Sequence, residues 1–189
     1  MDLDDLARAQ AAFTALVTSL GPDDWACPTP CEDWDVTGVV RHLVTGERAF
    51  TTALSGVRYD LPSLAAEVAA IPVDDLSETY GVGAAALRRA LADADPASAF
   101  PTGIGPMPAP AIGELRTIEA LTHGWDVARG TGGRVDVDEA VAARAITHSL
   151  ALMERLPPER TVFGTPQPVA DDAPAIDQLA ALLGRSVSG

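Results

Sequence analysis

The sequence contains no lysine and no asparagine, and its 13 basic residues, all arginine, face 27 acidic ones for a formal net charge of −14. Both missing residues have AT-rich codons, so their absence points to a GC-rich coding sequence. A molecule this acidic repels phosphate backbones and anionic lipid surfaces, which argues against nucleic-acid and membrane partners. Aromatic residues are scarce at 5% while hydrophobic residues, largely Ala, Leu and Val, reach 47%, a balance that favours helices over a β-sandwich. There is no run of about 18 apolar residues, and Met1-Asp2-Leu3-Asp4-Asp5 is acidic where a signal peptide would be basic, so the expected location is the cytoplasm.

Cysteine is nearly absent too. Cys27 and Cys31 stand in Cys27-Pro28-Thr29-Pro30-Cys31, where each residue before a proline is pushed toward an extended conformation. At a polyproline rise of roughly 3 Å per residue their Cα atoms lie about 12 Å apart, too far for a disulfide. Each is expected to be a small buried hydrophobe. A chain of 189 residues buries enough surface to stand as one domain without such a staple.

The apolar positions recur at helical spacing. Leu3, Leu6, Ala9, Phe13, Leu16 and Leu20 define a first helix, with Asp2 as N-cap and Gly21-Pro22 as its stop. After a Pro-rich segment from Trp25 to Trp34, Asp35 offers a cap for a second helix through Val36, Val39, Val40, Leu43, Phe50 and Leu54, ended by Ser55-Gly56. A short helical piece is predicted around Leu64 to Ala70 and a third main helix from Asp74 to Ala94, weakened by Gly81 and Gly83. Residues 96–110, dense in proline, read as a loop of the length that often carries function. A fourth helix spans Ala111 to Arg129 before Gly130-Thr131-Gly132-Gly133, and a fifth spans Asp138 to Leu156 before Pro157-Pro158. The remainder is a Pro-rich tail with one short helix at Ile176 to Leu183. The expected fold is all-α, with residues 1–160 forming a helical bundle and residues 161–189 a tail packed on it.

The candidates for chemistry are few. Glu119 and His123 lie four apart on the fourth helix, so at about 100° per residue their side chains stack on one face. Asp126 falls beside Glu119 on an arc that also holds Ile112 and Leu115, so two carboxylates and an imidazole interrupt a stripe that should face the core. Burying them unpaired would cost several kcal/mol each, roughly. A metal ion would compensate, and so would an ordinary ion pair. His42 sits at the edge of the second helix's apolar face, where Gly46, Ala49 and Ala53 leave room to approach a partner helix. Glu47 lies nearer the centre of that face and reads as a further ligand, a partner of a ligand, or a core ion-pair member with an arginine. His148, flanked by Arg144 and Arg155, reads as a partly solvated edge. Trp25, Trp34 and Trp125 read as core or loop anchors whose indole N–H finds a carbonyl.

Two motifs carry a family resemblance. Pro28-Thr29-Pro30-Cys31-Glu32-Asp33-Trp34-Asp35-Val36, followed by Arg41-His42-Leu43-Val44-Thr45-Gly46-Glu47-Arg48, and then Glu119-Ala120-Leu121-Thr122-His123-Gly124-Trp125-Asp126-Val127-Ala128-Arg129, resemble the signatures of actinobacterial proteins related to the metal-binding domain of mycothiol-dependent maleylpyruvate isomerase, within the DinB/YfiT-like superfamily. The resemblance implies a four-helix bundle and a divalent metal ion, zinc or alternatively nickel, held by His42, Glu119 and His123; beside it, Asp126 or Glu47 is expected to orient a ligand. It implies mycothiol as a thiol cosubstrate, a small-molecule thiol or electrophile as partner, and activity as a metal-dependent thiol transferase or isomerase. The isomerase is longer, with a C-terminal domain that helps form its thiol and substrate site, so the metal site carries over more directly than the reaction. The alternative is a non-catalytic module that binds a metal or small ligand, and a homodimer is the expected assembly.

Overall fold

The computed structural model describes residues 3–155 and 163–187. It is mostly helical. Helices α1 (Leu3–Thr18), α2 (Val36–Leu54), α3 (Leu61–Ala69) and α4 (Leu76–Asp93) precede a two-stranded hairpin, β1 (Ala99–Thr102) and β2 (Gly105–Pro108), which is followed by α5 (Ala109–Thr131), α6 (Glu139–Arg155) and α7 (Ala175–Leu182). No helix among the described residues is long and apolar enough to cross a membrane. Asp2, Leu156 and the Pro157-Pro158 stop lie outside the described residues.

The local signals act where expected. Asp35 caps α2, its Oδ1 accepting from Gly38 N–H at 2.7 Å, and α5 ends at Gly132 in the left-handed conformation with φ 71°. Helix α3 begins three residues earlier than the apolar pattern predicts, because Asp60 accepts from Ser63 N–H at 3.0 Å and Pro62 sits in the first turn, where a missing N–H costs nothing. Asp60-Leu61-Pro62-Ser63 is thus the true start signal.

The proline-dense segment is a hairpin, which corrects the expectation of an irregular loop in an all-α chain. Ala99 pairs with Pro108, Phe100 with Met107, Pro101 with Pro106 and Thr102 with Gly105. Both strands of a two-stranded ribbon are edges, so a proline's missing donor can point away from the partner strand.

Helix α2 packs on α4 and α5, α1 packs on α4 and α5, and α6 and α7 cover the other side of α5. Helix α5 is therefore enclosed, with Ile112, Leu115, Ile118, Leu121 and Val127 all buried. The reading of a single apolar stripe understates it: Arg116, Thr117, Thr122, His123 and Asp126 are buried as well. Three apolar clusters form around it, one with α1, α2 and α4 through Phe13, Val39, Leu43 and Tyr80. A second lies toward the hairpin through Leu87, Leu91, Met107 and Ile112, and a third toward α6 and α7 through Leu121, Val141, Ala145 and Leu179.

Candidate metal centre

The polar residues of α2 and α5 meet where the two helices cross. His42 Nε2 lies 2.8 Å from Glu119 Oε2, and His123 Nε2 lies 3.7 Å from the same oxygen. The two imidazoles stand 4.9 Å apart, centre to centre. One ligand atom from each of His42, Glu119 and His123 falls within 4.8 Å of the others. Ligands of a tetrahedral zinc ion lie roughly 3.4 Å apart at ordinary bond lengths, so small side-chain movements would bring all three onto one ion.

The supporting contacts favour that chemistry. His123 Nδ1 is 3.0 Å from Asp126 Oδ2; the carboxylate only accepts, so Nδ1 donates and Nε2 is left facing Glu119. Asp126 is gripped in turn by Arg185, whose Nε donates to Oδ1 at 3.2 Å and whose terminal nitrogen donates to Oδ2 at 2.9 Å. Burial alone would raise the Asp126 carboxyl, but the hydrogen bonds from His123 and Arg185 hold it below the usual carboxylate range. Burial acts the same way on Glu119, and there the His42 hydrogen bond and the charges of His123, His42 and Arg116 hold it well below that range. Burial pushes His42 below the usual histidine value despite its bond to Glu119, which favours the neutral imidazole a metal requires.

A second group, Cys31, His123 and Asp126, also gathers its ligand atoms within 4.8 Å. It suits a cation less well, because Asp126 already bears the Arg185 guanidinium and burial pushes the Cys31 thiol up. Cys27 and Cys31 are both unpaired and half-buried, packed against the first apolar cluster.

Glu47 is fully buried and accepts from Gln10 Nε2 at 3.0 Å and from Arg116 at 3.4 Å, a core ion pair with an arginine. Arg116 also reaches Leu43 O at 3.3 Å and stands 3.7 Å from Glu119. A Cβ at Gly46 would lie 2.5 Å from an Arg116 terminal nitrogen, so the space the small residues of α2 leave belongs to this guanidinium. His148 stands half-exposed, 4.0 Å from Glu114, and Arg144, predicted beside it, grips Asp5 instead.

The spacing argument missed three contributors. Arg116 carries no periodic signal distinguishing a buried guanidinium from a solvated one. Trp34, read as an anchor, stacks on His42 with ring centres 4.5 Å apart and planes at 27°. Arg185 comes from the far end of the chain. Trp125 is the anchor it was read as, although its Nε1 donates to the Asp177 carboxylate at 2.6 Å rather than to a carbonyl.

A cavity of about 980 Å³ opens beside His42 and Glu119, with Arg41, Phe50, Leu115 and Arg116 in its wall and Gly103, Ile104 and Gly105 of the hairpin at its rim. Tyr59 also lines the cavity, its hydroxyl accepting from Gly103 N–H at 3.0 Å.

Residues 6–128 match the family described as Mycothiol maleylpyruvate isomerase N-terminal domain. Two Mycobacterium tuberculosis proteins, Uncharacterized protein Rv0738 and Uncharacterized protein MT0763, are each 33% identical over 183 residues, covering 95% of this chain and 95% of each relative. The crystal structure of the mycothiol-dependent maleylpyruvate isomerase superposes with a TM-score of 0.60 at 16% identity, and that of its histidine-to-alanine mutant with 0.61 at 15%. Both superpositions cover 76% of this chain and 66% of the solved one, so the likeness concerns the fold and this chain spans about two-thirds of those structures. By its match over residues 6–128 and its mycobacterial relatives, the chain belongs to the mycothiol maleylpyruvate isomerase N-terminal domain family.

Proposed function

We propose that His42, Glu119 and His123 hold one divalent metal ion, zinc or alternatively nickel, and that the protein is a cytoplasmic metal-dependent thiol transferase or isomerase-like enzyme using a mycothiol-type thiol. The supporting observation is the convergence of two imidazoles and a carboxylate within 4.8 Å beside a cavity of about 980 Å³. We read α1, α2, α4 and α5 as the four helices of a DinB/YfiT-like bundle within residues 1–160, and residues 161–189 as a tail packed on it.

When bound, the ion supplies a positive charge that lowers the pKa of a coordinated thiol, so that the thiolate is available at neutral pH. Asp126 holds the His123 proton on Nδ1 and leaves Nε2 to face the site. Arg116 steadies Glu119, and Trp34 fixes the plane of His42. Phe50, Leu115 and Ile104 give the cavity an apolar wall, a place for an electrophile beside the thiol. Such a volume suits a small-molecule ligand and counts against a binding module whose cavity is filled. The direct contact between His42 and Glu119 also satisfies a metal-free ion pair, so metal content is the deciding measurement.

The test is inductively coupled plasma mass spectrometry on tag-free protein beside His42→Ala and His123→Ala. About one zinc or nickel per chain, lost in both variants, is expected. A folded, metal-free wild type that takes up no added zinc would sink the reading. With metal present, turnover of thiol and electrophile that vanishes in folded His42→Ala separates the enzyme from the non-catalytic module.

A further inference from the structure

The end of the described chain reaches the back of His123. Helix α7 docks through Leu179, Ala180 and Ala181, all fully buried, and through the Trp125 to Asp177 bond at 2.6 Å. It then reverses: Gly184 N–H donates to Ala181 O at 3.1 Å and Arg185 N–H donates to Ala180 O at 2.9 Å, the paired bonds of a Schellman cap. Gly184 has φ 98°, and a Cβ there would lie 2.6 Å from Gly164 Cα, so conformation and space both require glycine.

The reversal delivers one edge of the Arg185 guanidinium to Asp126, Nε and a terminal nitrogen donating to the two carboxylate oxygens at 3.2 and 2.9 Å, while the other terminal nitrogen donates to Leu183 O at 3.0 Å. This is the two-pronged geometry that lets arginine, and not lysine, fix a carboxylate plane. Asp126 is 0% exposed, so water offers no alternative partner. Without Arg185 the carboxylate would keep one side-chain hydrogen-bond partner among the described residues, His123, and would lose the contact that fixes its plane. The family match ends at residue 128, well before Arg185.

The geometry points to Arg185 as a positioning residue of the metal centre: it fixes the Asp126 carboxylate, which fixes the His123 ring, so the segment beyond the matched domain completes the site from behind. The effect on metal affinity rests on the metal reading of the previous subsection, whereas the effect on the ring does not.

The experiment compares wild type, Arg185→Ala and Arg185→Lys in two measurements. Long-range proton–nitrogen correlation spectra of the metal-free protein report the His123 tautomer, and competition with a chromophoric chelator gives the zinc Kd. Wild type is expected to show one Nδ1-protonated tautomer and Arg185→Ala a mixture, with zinc Kd raised about 10- to 100-fold and Arg185→Lys in between. In an Asp126→Asn background the Arg185→Ala change should raise Kd less than about twofold, since the link is already cut. A merely structural arginine would lower the melting temperature while leaving the ring signals and Kd unchanged, and that result overturns the inference. Should Arg185→Ala not fold, unchanged ring signals in Arg185→Lys overturn it equally. If wild type binds no zinc, the metal reading fails while the ring signals still decide the role of Arg185.

Discussion

The two sides of α5 solve the same packing problem differently. Toward α6 and α7 the helix presents Ile118, Ala120 and Leu121 to Val141, Ala145 and Leu179, a mainly apolar contact whose polar additions are the Trp125 to Asp177 bond and the Arg185 grip on Asp126. Toward α2 and α4 it presents Arg116 and Glu119, and α2 answers with His42 and Glu47. Arg116 and Glu47 are 2% and 0% exposed. Burial alone would weaken the Arg116 charge, but Glu47 and Glu119 raise its pKa above the ordinary arginine range, while burial pushes the Glu47 carboxyl up. The satisfaction is incomplete, since Arg116 Nε, Glu47 Oε2 and Tyr80 Oη lack partners. Apolar residues of similar volume often match or exceed the stability of a buried ion pair, so stability alone does not account for the charges on this side. Arg116 lines the cavity beside His42 and Glu119, and Glu47 pairs with it, which ties these charges to the site.

Three substitutions test that contrast, beginning with the largest effect. Glu47→Ala leaves the Arg116 guanidinium buried with Glu119, 3.7 Å away, as its remaining charged partner and should cost about 3–5 kcal/mol in urea unfolding. A loss below about 1 kcal/mol would mean that the polar contacts do not hold α2 on α5. Gly46→Ala places a methyl group 2.5 Å from an Arg116 nitrogen and should cost about 1–3 kcal/mol through overpacking. Net stabilisation, from the better helix propensity of alanine, would show that Arg116 moves aside freely.

The smallest effect comes from the ion pair on the α6 side. Arg144 Nε donates to Asp5 Oδ2 at 2.6 Å, yet the Arg144 side chain is 48% exposed. Solvent screening should limit the loss in Asp5→Asn to about 0.5–1 kcal/mol at neutral pH. The Arg144 hydrogen bond lowers the Asp5 carboxyl against the opposing effect of burial. Its stabilisation is therefore present above the unfolded value of about 3.9 and lost as pH falls through the folded one. Unfolding curves of the two proteins should converge as pH falls below the folded value; a difference that persists there would assign the effect to packing.

Features that depend on neighbours in sequence were legible before the structure. The Asp35 cap, the Gly56 and Gly132 stops and the Glu119 to His123 spacing each act within one or two helical turns. His42 was selected because small residues surround it, and that reasoning reached the right neighbourhood for an incomplete reason, since Gly46 makes room for Arg116 as well. Contacts made across the fold left no local trace. Trp34 reaches His42 only because the proline segment folds back, with Pro28 bridged to Asp35, and Arg185 meets Asp126 only after α7 has docked and reversed. The hairpin escaped because prolines count against a central strand, whereas this ribbon has none.

The cavity is held unequally at its two ends. Its floor is fixed by buried arginine, glutamate and histidine contacts, while Tyr59 and the Gly103 turn meet at the rim through one hydrogen bond of 3.0 Å, worth about 1 kcal/mol net. A ligand's head group would meet a mould with little give, and its other end a wall that can yield. Selectivity should therefore be graded along the cavity: strict for the atoms nearest His42 and Glu119, and permissive for those that project past the hairpin.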